Sequence, residues 1–424
     1  MKVILSPSKL NGTVSAPPSK SCMHRALICA AAADKPTKII CSSFSKDTEA
    51  TMACLSALGA RFEHSDGAVT VYPINRNESK ECVLDCNESG STLRFMLPFA
   101  AALGRSCTFI GAERLGQRPL LPLCEALNSH GVSTSYKESF LPCSINGKLS
   151  GGAFEIPGDI SSQFITGLLF ALGITNGGEI KATTPIQSGP YIDITTDIQK
   201  KFGITVEKTE SGYIVPSGQH YTSPGETEIE GDLSNGAFWL VAGAIGSEEK
   251  ITCTALREDT LQGDGKIIDI LREMGADISR DGDKVTVYKS QLSAIEIDCS
   301  DIPDIVPVLC VAATAAEGTT VFKNIERLRA KESDRVQTTA DMIKALGGKI
   351  EFDCNTISVT GCTLTGGTVS SANDHRIAMS AAIASLRCSD TVTIDIAEAV
   401  NKSYPDFYEK FTMLGGKCDE LCDR

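Results

Sequence analysis

One regularity constrains this chain more than any other: a helix that ends in glycine recurs at an almost fixed interval. The segments are "CLSALGA", "CEALNSHG", "IQKKFGIT", "LREMGADI", "MIKALGGKI" and "FTMLGGK", with glycines at Gly59, Gly131, Gly203, Gly275, Gly347 and Gly415. Successive spacings are 72, 72, 72, 72 and 68 residues. A glycine just past a helix end takes the left-handed backbone that closes the last turn, and a short strand such as "ADISRDGDKVTVY" follows it. A second series alternates with the first: "SCMHRALICAAAA", "STLRFMLPFAAALG", "SSQFITGLLFALG", "LSNGAFWLVAGAIG", "DIVPVLCVAATAAEG" and "HRIAMSAAIASL". These are apolar nearly all round, as buried helices are, whereas "GDGKIIDILREMG" and "ESDRVQTTADMIKALGG" carry apolar residues on one face only. Six units in 424 residues predict an α/β repeat architecture of two domains with three units each. The midpoint is expected near Glu228–Asp232.

Charge narrows the ligand. A net charge of −13 provides no bulk positive field, which argues against nucleic acid or an acidic membrane as partner. No apolar run reaches the roughly 18–20 residues of a membrane span, and "MKVILSPSKL" is too short and too soon broken for a signal peptide. Seventeen cysteines are scattered without a CxxC pair. Cys82/Cys86 and Cys418/Cys422 have CxxxC spacing but no accompanying histidine pair, so free thiols in a reducing cytoplasm are expected.

Yet cations gather where the buried helices begin. Lys20, Ser21 and Arg25; Gly90, Ser91 and Arg94; and Ser161, Ser162 and Gln163 open three of them, with Asp232, Asp304, Asp374, His375 and Arg376 in the second half. The amphipathic series adds Arg118, Ser188, Lys331, Glu332, Arg335 and Lys402. Helix N-termini present unpaired N–H groups and the positive end of the dipole, so hydroxyls and cations there form anion sites. Buried cations need opposite charge, which a small, heavily anionic ligand would supply. Blander readings exist for each group. Ser161 and Ser162 are also ordinary N-caps, Asp304 could cap the helix after it, and Arg25 or Arg376 could pair with Asp47 or Asp374. "KESDR" could be a solvated first turn with local ion pairs.

The motifs "PPSKSCMHRAL", "GSTLR", "QRPL", "SSQF", "GPYIDIT", "QGDG", "IPD", "RAKESDR", "NDHRIAM" and "KSYPDF" occur in the order found in the 5-enolpyruvylshikimate-3-phosphate (EPSP) synthase family, and the resemblance spans essentially the whole chain. It implies two domains of three βαβαββ units with buried parallel helices, an inside-out α/β barrel in each. Residues 12–230 would form the first domain, 1–11 with 231–424 the second, and the active site would lie in the cleft between them. The implied reaction transfers the enolpyruvyl group of phosphoenolpyruvate to the 5-hydroxyl of shikimate 3-phosphate, on the route to chorismate. By resemblance, Lys20, Ser21, Arg25, Ser161, Ser162, Gln163, Ser188, Asp304 and Lys331 would hold shikimate 3-phosphate. Lys20, Gly90, Arg118, Gln163, Arg335, Arg376 and Lys402 would hold phosphoenolpyruvate. Asp304 matches the base, Glu332 the proton donor, and Lys20 the group that assists the departing phosphate. The resemblance implies no cofactor and no metal, and a monomer is expected because the cleft needs one chain. A start without a transit peptide points to a bacterial or archaeal cytoplasm. Gly90 would leave room for glyphosate.

Two residues depart from the pattern: Glu88 stands where members commonly carry Asn, and Arg327 where some carry a neutral amide. Two other readings are open to a chain of this pattern. UDP-N-acetylglucosamine enolpyruvyl transferase carries a cysteine five residues before an Arg-Pro, where this chain has Glu113. A non-catalytic anion-binding protein on the same fold would lack Asp304, Glu332 or Lys20, all of which are present.

Overall fold

The computed structural model describes residues 1–75 and 81–421; Cys422, one half of a CxxxC spacing, lies outside the described residues. Among the described residues twelve helices of seven residues or more follow one another: α1 (Lys20–Ala32), α2 (Lys46–Ala57), α3 (Gly90–Ala102), α4 (Leu121–Asn128), α5 (Ser162–Leu172), α6 (Gly189–Lys201), α7 (Leu233–Gly246), α8 (Ile267–Glu273), α9 (Val306–Ala313), α10 (Arg335–Ala345), α11 (His375–Ser385) and α12 (Phe407–Met413). None is long and apolar enough to cross a membrane. The odd-numbered helices are the buried series. Every residue of α7 and α9 is buried, and α1 is buried from Cys22 to its end. The even-numbered helices bury one stripe, as in α10 with Val336, Thr339, Ala340, Met342 and Ile343.

All six repeat glycines have positive φ, from 81° at Gly347 to 105° at Gly59. A Cβ there would meet the following carbonyl, so glycine closes each even-numbered helix at little cost. After the first five the chain turns into a hairpin such as Arg61–Ser65 with Ala68–Tyr72, and after Gly415 into the single strand Lys417–Leu421, which pairs with Lys2–Ser6; these strands belong to six four-stranded sheets among the described residues. Each of the six contains one parallel pair; in four of them it is the two strands that flank a buried helix, such as Cys82–Asp85 and Cys107–Ile110 around α3, and in the other two the partners come from distant parts of the chain. That is the βαβαββ unit.

The chain divides into two compact units, a central one, Pro18–Ile229, and a terminal one, Met1–Pro17 with Glu230–Arg424. Each has its own apolar core. The expectation that residues 12–17 join the first domain is corrected. Leu10–Ser15 pairs in parallel with Ser247–Thr254 of the terminal unit, Val14 opposite Cys253. Lys2–Ser6 fills the terminal unit's last sheet between Val392–Asp395 and Lys417–Leu421. The central unit closes likewise with its own last strand, Glu226–Glu228, beside Thr37–Ile40.

Helix contacts fix where the N-termini sit. Pro98 within α3 has no N–H to give the carbonyl of Arg94, four residues earlier. Gly167 of α5 lies against that carbonyl, where a Cβ would come within 2.3 Å of the oxygen. The two backbones can therefore approach closely, which sets Arg94 beside the first turn of α5.

Candidate active site

In the central unit the first turns of α1, α3, α5 and α6 are tied together by polar side chains. Ser19, Ser89 and Ser161 cap α1, α3 and α5 by accepting backbone N–H bonds. Lys20 Nζ pairs with Asp47 Oδ2 at 2.8 Å. Arg25 is 2% exposed, and its donors go to Thr195 Oγ1 (2.8 Å), the Ser21 carbonyl (2.7 Å) and the Tyr191 carbonyl (2.8 Å). None of these oxygens belongs to a carboxylate. Its guanidinium also stands 5.2 Å from the centre of the Phe95 ring. Burial pulls its pKa down to about 10, so it remains charged at neutral pH. Asp47 serves Lys20, which removes one alternative reading of Arg25.

Arg94, also buried, donates to Gln163 Oε1 at 2.7 Å and to the Pro119 carbonyl at 2.9 Å, while Gln163 Nε2 donates to Ser91 Oγ at 2.9 Å. One arginine thereby fixes both Gln163 and the residue after Arg118. Arg118 lies across Gly90, where an added Cβ would come within 2.6 Å of its Nη1. Ser188 precedes α6 with a left-handed backbone, φ 55°. Glu88 is half-buried immediately before the Ser89 cap. Beneath these turns His24 Nδ1 meets Thr51 Oγ1 at 2.7 Å, and Thr51 meets Thr92 Oγ1 at 2.7 Å. Burial, and then Lys20 and Arg25, hold His24 neutral by lowering its pKa well below the usual histidine value.

In the terminal unit, carboxylates dominate. Arg335, the first residue of α10, is 1% exposed and binds three of them: Asp374 Oδ2 from Nε at 2.8 Å, Asp304 Oδ1 from Nη1 at 2.7 Å, and Glu332 Oε2 from Nη2 at 2.8 Å. The "KESDR" turn is therefore not a solvated one. Burial works against the charge on Arg335, but Asp374, Glu332 and Asp304 outweigh it and push the pKa upward. Asp304 also meets Lys331 Nζ at 3.3 Å and lies 3.9 Å from Arg376 Nη2. The residue in the cap position of α9 is Ile305, so Asp304 is no N-cap. Asp374, fully buried, caps α11 through the Arg376 N–H and pairs with Arg335 rather than with the Arg376 side chain. Lys331 is lowered by burial, with Asp304 opposing and Arg335 and then Arg327 adding to the effect. Arg327 thus acts on Lys331 through its charge. Lys402 Nζ donates to the Asn373 carbonyl.

Asp264, 2% exposed, accepts from Ser234 Oγ, and burial followed by Asp304 pushes its pKa up to about 7. Tyr191, Thr195, Asp264 and Asn235 also support these groups and were not among the expected site residues; Arg94 and Asp374 were expected at the helix starts but without a ligand or catalytic role, and Asp47 only as a possible ion-pair partner. "GPYIDIT" and "QGDG" were visible as motifs, but their supporting bonds depend on contacts across helices.

Residues 4–411 match the model of a family described as EPSP synthase (3-phosphoshikimate 1-carboxyvinyltransferase). A 3-phosphoshikimate 1-carboxyvinyltransferase of Clostridium kluyveri is 41% identical over 420 residues, covering 99% of this chain and 98% of that protein. The enzyme of that name from Clostridioides difficile is 40% identical over 428 residues, covering 98% and 97%. Among solved structures, EPSP synthase from Acinetobacter baumannii superposes with a TM-score of 0.81 at 26% identity, over 99% of this chain and 100% of that one. The enolpyruvyl transferase NikO from Streptomyces tendae, at 18% identity and a TM-score of 0.79, shares the fold over 99% and 98%. With a family match and relatives that run almost end to end, this chain belongs to the EPSP synthase family.

Proposed function

We infer that the chain is a 3-phosphoshikimate 1-carboxyvinyltransferase, moving the enolpyruvyl group of phosphoenolpyruvate to the 5-hydroxyl of shikimate 3-phosphate with release of phosphate. Ser21, Arg25, Ser161, Ser162, Gln163, Ser188 and Lys331 hold shikimate 3-phosphate. Gly90, Arg118, Arg335, Arg376 and Lys402 hold phosphoenolpyruvate, and Lys20 touches both. One chain suffices, so the enzyme works as a monomer in the cytoplasm.

In the addition step the 5-hydroxyl oxygen bonds to C2 of phosphoenolpyruvate, Asp304 takes the hydroxyl proton, and Glu332 delivers a proton to C3. In the elimination step a C3 proton returns to Glu332 and the C–O bond to phosphate breaks, with Lys20 neutralising the departing group. The observation that carries this reading is the shared guanidinium: Arg335 binds both Asp304 and Glu332. One guanidinium thereby holds the proposed base and the proposed proton donor on a single group.

The test is phosphate release from phosphoenolpyruvate, with and without shikimate 3-phosphate, for the wild type and Asp304→Ala. Release should require shikimate 3-phosphate and fall by about 10²–10⁴ in the variant, the usual contribution of a general base. Release without shikimate 3-phosphate, or an undiminished rate in the variant, rejects the assignment.

A further inference from the structure

The first turn of α7 carries a polar side chain that the reaction does not use. Asn235 is fully buried in a helix whose one other polar side chain is Ser234, and its backbone N–H donates to the Asp232 cap at 2.8 Å. Its amide is spent on two other segments. Oδ1 accepts from Arg376 Nη1 at 3.0 Å and from Ser403 Oγ at 3.3 Å, while Nδ2 donates to the Ser403 carbonyl at 3.3 Å. Arginine can only donate, so the amide oxygen must face Arg376 and the amide nitrogen the carbonyl.

Arg376 and Lys402 are the two cations involved. Asn235 grips the first directly and the second through Ser403, the residue next to Lys402. A second link runs the other way: Lys402 Nζ donates to the carbonyl of Asn373. That carbonyl is aimed by two consecutive left-handed residues, Ala372 (φ 50°) and Asn373 (φ 56°), a strained arrangement for residues with a Cβ. Arg376 is 2% exposed, its Nη2 points to Asp304 across 3.9 Å, and its Nε has no hydrogen-bond partner among the described residues. Unopposed, two like charges drift apart or turn to the nearest carboxylate.

We propose that Asn235 is a positioning residue that clamps Arg376 and the Lys402 segment into one receptor for the anionic groups of phosphoenolpyruvate. A neutral amide suits the task because it bonds the guanidinium without cancelling its charge. A carboxylate of the same shape would neutralise the cation that the substrate needs. The proposal rests on the assignment of Arg376 and Lys402 to phosphoenolpyruvate.

Steady-state kinetics of the wild type, Asn235→Ala and Asn235→Asp, varying each substrate in turn, test it. Asn235→Ala should raise KM for phosphoenolpyruvate about tenfold, the loss expected for one hydrogen bond to a charged group. KM for shikimate 3-phosphate should stay within about twofold and kcat within about threefold. Asn235→Asp keeps the shape, adds a charge beside Arg376 and loses the donor to the Ser403 carbonyl, so its KM for phosphoenolpyruvate should rise further, about a hundredfold, even if its melting temperature falls. A residue that serves the fold alone predicts a lowered melting temperature in both variants with KM for phosphoenolpyruvate unmoved, and that result overturns the proposal. Should Asn235→Ala fail to fold, the near-isosteric Asn235→Asp decides alone. A wild type that turns over nothing with the two substrates overturns the assignment of the reaction and the positioning role with it.

Discussion

Arg25 of the central unit and Arg335 of the terminal unit are buried in opposite ways. In the central unit Arg25 is surrounded by a hydroxyl and two carbonyls, and Arg94 by an amide oxygen and a carbonyl. In the terminal unit Arg335 is saturated by Asp304, Glu332 and Asp374. Neutral oxygens orient a guanidinium and leave its charge available, as at Arg25 and, in the terminal unit, at Arg376 beside the Asn235 amide. Carboxylates offset the charge and are themselves oriented by it, as at Arg335. On the proposed function, Arg25 is then an anion receptor and Arg335 first of all a carboxylate organiser.

That contrast breaks most sharply in a pair of substitutions. Arg335→Met leaves Asp374 buried without its cation and loosens Asp304 and Glu332, which should cost about 3–5 kcal/mol of stability. Arg25→Met strands no carboxylate, so its stability should change by no more than about 1 kcal/mol while affinity for shikimate 3-phosphate falls about a hundredfold or more. Urea unfolding and calorimetric titration of both variants make the comparison. If Arg25→Met proves as unstable as Arg335→Met, the distinction between receptor and organiser is wrong.

The same logic explains how far the sequence could be read. The repeat was legible because each copy needs a left-handed residue at one place, and glycine marks it locally at Gly59 through Gly415. The closing strands were not. Nothing in Leu10–Ser15 says that its partner is Ser247–Thr254, since strand pairing across the chain leaves no local signal. Cations at helix starts stood out in an acidic protein, but which carboxylate each one meets is a matter of packing. Asp47 went to Lys20 and Asp374 to Arg335, neither to the arginines first considered. Asn235 was hidden for a simpler reason: one amide inside "LSNGAFWLVAGAIG" reads as part of a buried helix.

The pH dependence of stability should carry opposite signs in the two units. Asp264 is raised to about 7 by burial and then by Asp304, so the folded state holds a proton that the unfolded chain has already released. Its contribution to stability is therefore present below the ordinary aspartate value near 4 and lost as pH rises through about 7, on the order of 4 kcal/mol. His24 is depressed by burial, Lys20 and Arg25, so its contribution is present above the ordinary histidine value and lost as pH falls below about 6.5. Urea midpoints measured from pH 4 to 8 should lose the first slope in Asp264→Asn and the second in His24→Gln. Equal slopes in wild type and variants would mean that neither group titrates as its surroundings dictate.

The smallest expected effect is at Glu88, the acidic residue just before the cap of α3. Glu88 places a carboxylate one residue before the cap of α3, on the side of the central unit where Gly90 and Arg118 meet. If that side receives anions, a negative charge there works against binding, though weakly, because Glu88 is only half-buried and solvent screens it. Glu88→Gln should lower KM for phosphoenolpyruvate about twofold to threefold at low ionic strength, with the gain fading as salt rises past about 0.2 M. KM for shikimate 3-phosphate should not move. A rise in KM instead would mean that Glu88 orients a neighbouring cation, and that this corner of the central unit follows the rule of Arg335.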